Sequence, residues 1–175
     1  MKIKVFPIFL IVILIIIFLI FYKGLQNPNI YEPKIEIGKK VPIFQANIFE
    51  TNNEINSEQI FKDNKFYLIN IWSSWCIPCR DEHPFLMNLS NQKKIQIIGI
   101  NYKDKIEKAK NFLNELNNPY HLILSDQNGT VAIELGAYGV PESFLVYNDE
   151  ILLKIIGPLN ENLLLKIKKL NKLNF

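Results

Sequence analysis

The chain has 175 residues, 49% of them hydrophobic, with 20 basic and 17 acidic side chains and a formal net charge of +3. That length allows one domain plus an appendage. From Lys23 onward 18 basic residues face 17 acidic ones, a balance that excludes the basic stripe of a nucleic-acid binder.

The appendage comes first. VFPIFLIVILIIIFLIFY, between Lys4 and Lys23, is an uncharged run of 18 residues. At about 1.5 Å per residue it makes a helix of roughly 27 Å, close to a hydrocarbon core of about 30 Å. A cleaved signal peptide is the alternative, but its apolar region is about 7 to 15 residues and ends in a small-residue site. Phe21, Tyr22, Lys23 and Gly24 offer no such site. An uncleaved N-terminal membrane anchor over residues 1–22 is therefore expected. Lysines flank it on both sides, so charge gives no firm orientation; the short tail before it fits a signal anchor that leaves the domain outside the cytoplasm.

Residues 23–40 read as a linker, polar and broken by Gly24, Pro28, Pro33 and Gly38. The globular domain is expected over 41–175. PIFQANIFE alternates and reads as a strand; TNNEINSEQIF reads as a turn and a short helix capped by Ser57. KFYLINIW and IQIIGINY are continuous apolar runs, as in strands buried on both faces. Between them WSSWCIPCRDEHPF opens a helix through Met87 and Leu89. KDKIEKAKNFLNEL is amphipathic, with Ile106, Ala109, Phe112, Leu113 and Leu116 on one face. HLILSD is a short strand, DQNG a turn, and TVAIELGAY a short helix ending near Gly136. PESFLVY and EILLKIIG form a hairpin through Asn148 and Asp149. Asn160 then caps a helix whose Leu163, Ile167 and Leu170 share a face. Strands alternating with helices, finished by an antiparallel pair, predict an α/β fold: a mixed sheet covered on both faces.

Both cysteines of the chain, Cys76 and Cys79, stand in C-I-P-C directly after a buried strand. A reversible disulfide, half a metal site and two core residues are the competing readings. If a helix begins there, its free N–H groups and positive dipole end lower the Cys76 thiol pKa and make a nucleophile available. Pro78 suits the first turn, where its missing N–H costs nothing. Cys79, one turn on, is placed to attack a mixed disulfide at Cys76. Cys76 is thus expected to be the exposed attacker and Cys79 the shielded resolver. Zinc needs two more ligands. The only histidines, His83 and His121, are separated by 37 residues, far outside H-x₃₋₅-H spacing, and no metal site is expected.

WCIPCRDEHP and GAYGVPESFLVY resemble the DsbE/CcmG family of thioredoxin-like, membrane-anchored thiol:disulfide proteins of bacterial cytochrome c maturation, over roughly residues 38–160. The resemblance implies a thioredoxin-like fold behind the anchor. It implies a cis Val140–Pro141 bond facing the disulfide, with Val140 offering its backbone to a bound peptide. Trp75, Val140, Pro141 and Glu142 would be the client-binding set. Glu82 and Glu142 match acidic residues lining the family's groove, and Pro84 would kink the helix. Asn70 stands where thioredoxins carry a buried Asp; since Asn cannot shuttle a proton, Glu82 is the candidate acid–base partner of Cys79.

Direction is read from charge. Two carboxylates near Cys76 disfavour its thiolate and make the couple more reducing, while the chain's single arginine, Arg80, opposes them if it turns towards the sulfur. The expectation is a reductase of disulfides in apocytochrome c or its haem-ligation partner. It would have no cofactor beyond the Cys76–Cys79 pair and would draw electrons from a membrane thiol donor. It would be a single-pass protein of the bacterial inner membrane, its domain in the periplasm. A general extracytoplasmic reductase and a redox-inert peptide-binding module are the alternatives. Haem binding by the domain itself is not expected, because Arg80 stands where C-x-x-C-H would need histidine.

Overall fold

A computed structural model describes residues 5–26, 38–51, 53–61, 64–92 and 94–173. The chain divides into two compact units, Met1–Pro33 and Lys34–Phe175.

In the first unit, helix α1 runs from Val5 to Gln26, 22 residues with no acidic side chain in the first turn and Lys23 in the last. Its apolar side chains are exposed from Phe9 through Tyr22. It continues four residues beyond the expected anchor. Among the described residues no helix is long and apolar enough to cross a membrane. Most of the expected linker, residues 27–37, lies outside the described residues.

The second unit is a seven-stranded mixed sheet in the order β2-β1-β5-β4-β3-β6-β7. Its centre is β3 (Phe66–Trp72), buried at all seven positions, parallel to β4 (Ile95–Tyr102) and antiparallel to β6 (Glu142–Tyr147). Outward on one side come β5 (Leu122–Asp126), parallel to β4, then β1 (Gln45–Ile48) and β2 (Glu54–Asn56), both antiparallel. On the other side β7 (Glu150–Ile156) closes a hairpin with β6. Asn148 and Asp149 sit at φ 51° and 65°, the left-handed backbone a two-residue hairpin turn demands.

Side chains alternate along β3 and build a core on each face. Phe66, Leu68 and Trp72 pack with α3 (Ile77–Ser90), α4 (Ile106–Leu116) and α6 (Glu161–Leu173), through Leu86, Leu89, Phe112, Leu113 and Ile167. Tyr67, Ile69 and Ile71 pack with α2 (Ser57–Ile60) and α5 (Thr130–Glu134), through Ile60, Val131 and Ala132. Asn70 shares the first face with Leu68 and Trp72, and that parity aims it at α3.

Three local expectations are corrected. Strand β2 falls where a turn was expected, because Glu54–Asn56 find partners in Asn47–Gln45. Asn56, not Ser57, caps α2; the Ser57 hydroxyl instead donates to Pro42 O and accepts from Phe44 N–H. Gly38 to Val41 pair with the β7 hairpin through Gly38 N–H to Ile151 O (2.8 Å) and Val41 N–H to Asp149 O (2.9 Å). The last residues assigned to the linker thus belong to the sheet, whose edge supplies the partners their backbone needs.

Candidate active site

Strand β3 ends at Trp72, a turn passes through Ser74 and Trp75, and α3 begins at Ile77 with Pro78 in its first turn. Cys76 is the N-cap residue in extended backbone (φ −87°, ψ 109°), and its Sγ accepts the Cys79 N–H at 3.1 Å. A disulfide joins Cys76 to Cys79. Cys76 keeps 5% of its surface and Cys79 1%, so the order of accessibility is as expected. The expectation of an exposed Cys76 is corrected. Bonded to Cys79, its sulfur sinks into the cluster of Trp72 and Leu86, with Val140 packed against it. The exposed groups are its neighbours, Trp75 at 55% and Ile77 at 76%.

The loop that presents Cys76 is clamped from β4's far end. Asp104, buried, accepts from Ser74 N–H (2.6 Å), Ser74 Oγ (2.7 Å), Asn101 Nδ2 (3.1 Å) and Lys105 N–H (2.8 Å). Trp75 Nε1 donates to Lys103 O at 3.2 Å. Sequence reasoning missed this bracket. Asp104 was visible as an acid just before a helix, but nothing in the chain says that its partner lies 30 residues earlier.

Behind the disulfide runs a buried polar chain. Glu82 lies three residues after Cys79, hence on the same face of α3, and has no exposed surface. Asn70 Nδ2 donates to Glu82 Oε1 (2.8 Å) and Ser143 Oγ (3.0 Å), Leu159 N–H donates to Glu82 Oε2 (2.8 Å), and Tyr120 OH donates to Asn70 Oδ1 (2.9 Å). Burial pushes the Glu82 carboxyl up to about 7, against the Leu159 and Asn70 donors, which favour its ionised form. Burial, helped by the charge of Glu82, also holds the Tyr120 hydroxyl well above its usual range. Tyr120 stacks on Trp72 at 5.3 Å between centroids. Gly99 makes room for both, since a Cβ there would lie 2.8 Å from the Tyr120 ring.

The Val140–Pro141 bond is cis, Pro141 is buried and Val140 half-buried. Glu142 differs from expectation: it does not line an open groove. It is buried in the interior strand β6, where Oε1 accepts from Tyr138 N–H (2.6 Å) and Gly139 N–H (3.2 Å) and Oε2 lies 3.3 Å from Lys154 Nζ. Arg80 does not turn towards the sulfur. Its guanidinium makes a bidentate pair with Glu115 (2.6 and 3.1 Å) and lies 5.1 Å over the Phe112 ring. The balance of two acids against one base therefore reduces to a single group, Glu82. Pro84 sits inside α3, which runs unbroken to Ser90. Its ring leaves the Arg80 carbonyl without an i+4 donor.

His83 is buried, with Nε2 2.9 Å from Asn117 O, and burial lowers its pKa. His121 lies just before β5. Among the described residues no three His, Cys, Asp or Glu side chains are grouped to hold a metal.

Residues 36–170 match the Redoxin family. The chain is 38% identical over 148 residues to the thiol:disulfide interchange protein DsbE of Yersinia pestis, covering 83% of this chain and 78% of that one. It is 52% identical over 95 residues to the thiol:disulfide interchange protein CycY of Rhizobium leguminosarum bv. viciae, covering 54% and 51%. Solved structures share the fold. A secreted Mycobacterium tuberculosis disulfide oxidoreductase described as homologous to E. coli DsbE superposes with a TM-score of 0.63 at 15% identity, covering 72% of this chain and 95% of that one. StoA of Bacillus subtilis does so at 0.56 and 22%, covering 77% and 98%. With a cysteine pair bonded at the head of α3 on a thioredoxin-like sheet, the chain belongs to the DsbE/CcmG family of thiol:disulfide interchange proteins and is a thiol-disulfide oxidoreductase.

Proposed function

We propose that the protein is a membrane-tethered reductase that opens a disulfide in apocytochrome c or in its haem-ligation partner. The observation that carries this reading is the Cys76–Cys79 pair at the N-terminus of α3, with the Glu82 carboxyl one turn behind the inner sulfur. In the reduced protein the Cys76 thiolate, favoured by the helix dipole, attacks a client sulfur and expels one client thiolate. Cys79, its proton taken by Glu82, then attacks Cys76 Sγ and expels the second thiolate. Two electrons pass to the client, and the Cys76–Cys79 disulfide remains for a membrane dithiol to reduce. A carboxyl at about 7 serves as such a base at neutral pH.

The client lies along Val140 and the exposed Trp75, above the buried Pro141. The reducing direction now rests on Glu82 alone, since Lys154 compensates Glu142 and Glu115 engages Arg80. Its negative charge opposes the helix dipole and destabilises the reduced pair. Helix α1, 22 residues and about 33 Å long at 1.5 Å per residue, matches a hydrocarbon core of about 30 Å and serves as the anchor. The catalytic domain then stands in the periplasm of a bacterium.

Equilibration with dithiothreitol or glutathione tests the direction. A potential well below the roughly −120 mV of a strong oxidant is expected, and a value near it reverses the assignment. A Cys79→Ala chain, which leaves the mixed disulfide standing, identifies the client. Capture of a c-type apocytochrome or haem-ligation protein supports the reading, whereas capture of unrelated thiol proteins makes this a general extracytoplasmic reductase.

A further inference from the structure

The segment from Gly136 to Val140 leads into the cis proline without belonging to a helix or strand, and one largely covered ammonium group holds it. Lys154 lies in β7 directly opposite Phe144 of β6, with its side chain 11% exposed. Its Nζ donates to Gly136 O at 2.9 Å, pairs with Glu142 Oε2 at 3.3 Å, and sits 4.2 Å from the Tyr138 ring centroid and 5.7 Å from that of Phe144. The other Glu142 oxygen accepts the N–H groups of Tyr138 and Gly139. The loop is therefore gathered at three successive points, by its Gly136 carbonyl, its Tyr138 ring and its Tyr138–Gly139 amides, onto a single ion pair.

Such a pair adds little net stability, because removing two charges from water offsets their attraction, and a packed apolar pair serves a strand as well. What the pair does provide is one defined loop conformation. Among the described residues, the contacts of Lys154 lie in this loop and in β6, and none is to either cysteine. Its effect therefore falls on the position of Val140, which packs against the cluster containing both sulfurs.

We propose that Lys154 is a positioning residue for client recognition: paired with Glu142, it fixes the Gly136–Val140 loop so that Val140 meets the client strand beside the disulfide. The proposal rests on the reading that Val140 docks the client. It separates two steps of one reaction, since the loop governs how tightly a peptide is held and α3 governs how fast its disulfide is exchanged.

The test uses the reduced full-length chain in detergent, in single-turnover reactions with a disulfide-bonded Cys-x-x-Cys-His peptide and with a small aromatic disulfide that needs no docking strand. In Lys154→Met the half-saturating peptide concentration is expected to rise about tenfold, with the maximal rate and the small-disulfide rate within about twofold of the parent. Lys154→Arg, which keeps the charge, is expected to recover most of the loss. Hydrogen exchange reads the loop directly: its amides lose protection in Lys154→Met and keep it in Lys154→Arg. If Lys154→Met fails to fold, the double variant Glu142→Gln with Lys154→Met removes both charges together and is expected to show the same rise. Unchanged loop protection in Lys154→Met overturns the role of Lys154 whatever the peptide does. Lost protection with unchanged half-saturation overturns instead the docking reading of Val140, and the proposed consequence with it.

Discussion

A carboxyl that titrates near 7 inside the core makes stability depend on pH. Glu82 has a folded value of about 7 against an ordinary value of 4.5. Between those values the folded state binds the proton more tightly than the unfolded chain does. Stability is therefore full below about pH 4.5 and falls as pH rises through 7, by an amount on the order of 3 kcal/mol. Urea denaturation at pH 5 and pH 8 is expected to show the parent losing stability at the higher pH and Glu82→Gln losing little. The same variant removes the base, so resolution by Cys79 is expected to slow about 10²-fold, read as accumulation of mixed disulfide in stopped-flow quenching. Cys76→Ser should abolish exchange altogether, while a merely peptide-binding protein would keep its function. The resemblance to the DsbE/CcmG family, with Asn70 in place of an acid, pointed to Glu82. It did not show that Glu142 is buried beneath its own loop or that Arg80 turns to Glu115, because both outcomes depend on partners 12 and 35 residues away.

Elements carry the site's geometry. Helix α3 was legible from Pro78 and the stretch through Met87 and Leu89, and β3 from its unbroken apolar run. The clamp on the loop between them was not. Asp104 receives four donors, and in Asp104→Asn at least one would face an amide N–H₂ instead of an oxygen. A loss of about 1 to 3 kcal/mol follows, measured by urea denaturation, with Trp75 fluorescence altered because its turn loosens. Strand β4 carries a second hidden requirement. Gly99→Ala would press a methyl group against the Tyr120 and Trp72 rings, and its cost is expected at about 1 to 3 kcal/mol in the same experiment. A glycine in an apolar strand announces a close approach, but not of which rings.

At the scale of the whole molecule the chain divides into two units. A chain beginning at Lys34 retains the sheet, both cores and the cysteine pair. It is expected to unfold cooperatively and to keep the parent's reduction potential, while only the full chain sediments with membranes. A truncated chain that aggregates, or shifts in potential, would show that α1 contributes more than attachment. An uninterrupted apolar run and, after it, alternating strand and helix patterns were legible in the order of residue types alone. The reactive pair was likewise determined locally, because C-I-P-C at a strand-to-helix junction needs only its own neighbours to form a disulfide. Tertiary structure alone decided which charges act on that pair. Asn70, Glu82, Tyr120 and Leu159 meet through side-chain parity across different strands and helices, and Lys154 reaches Glu142 only after β6 and β7 have paired. Periodicity along a chain reports which face a residue takes; which residue waits on the opposite face is settled by the packing of the sheet.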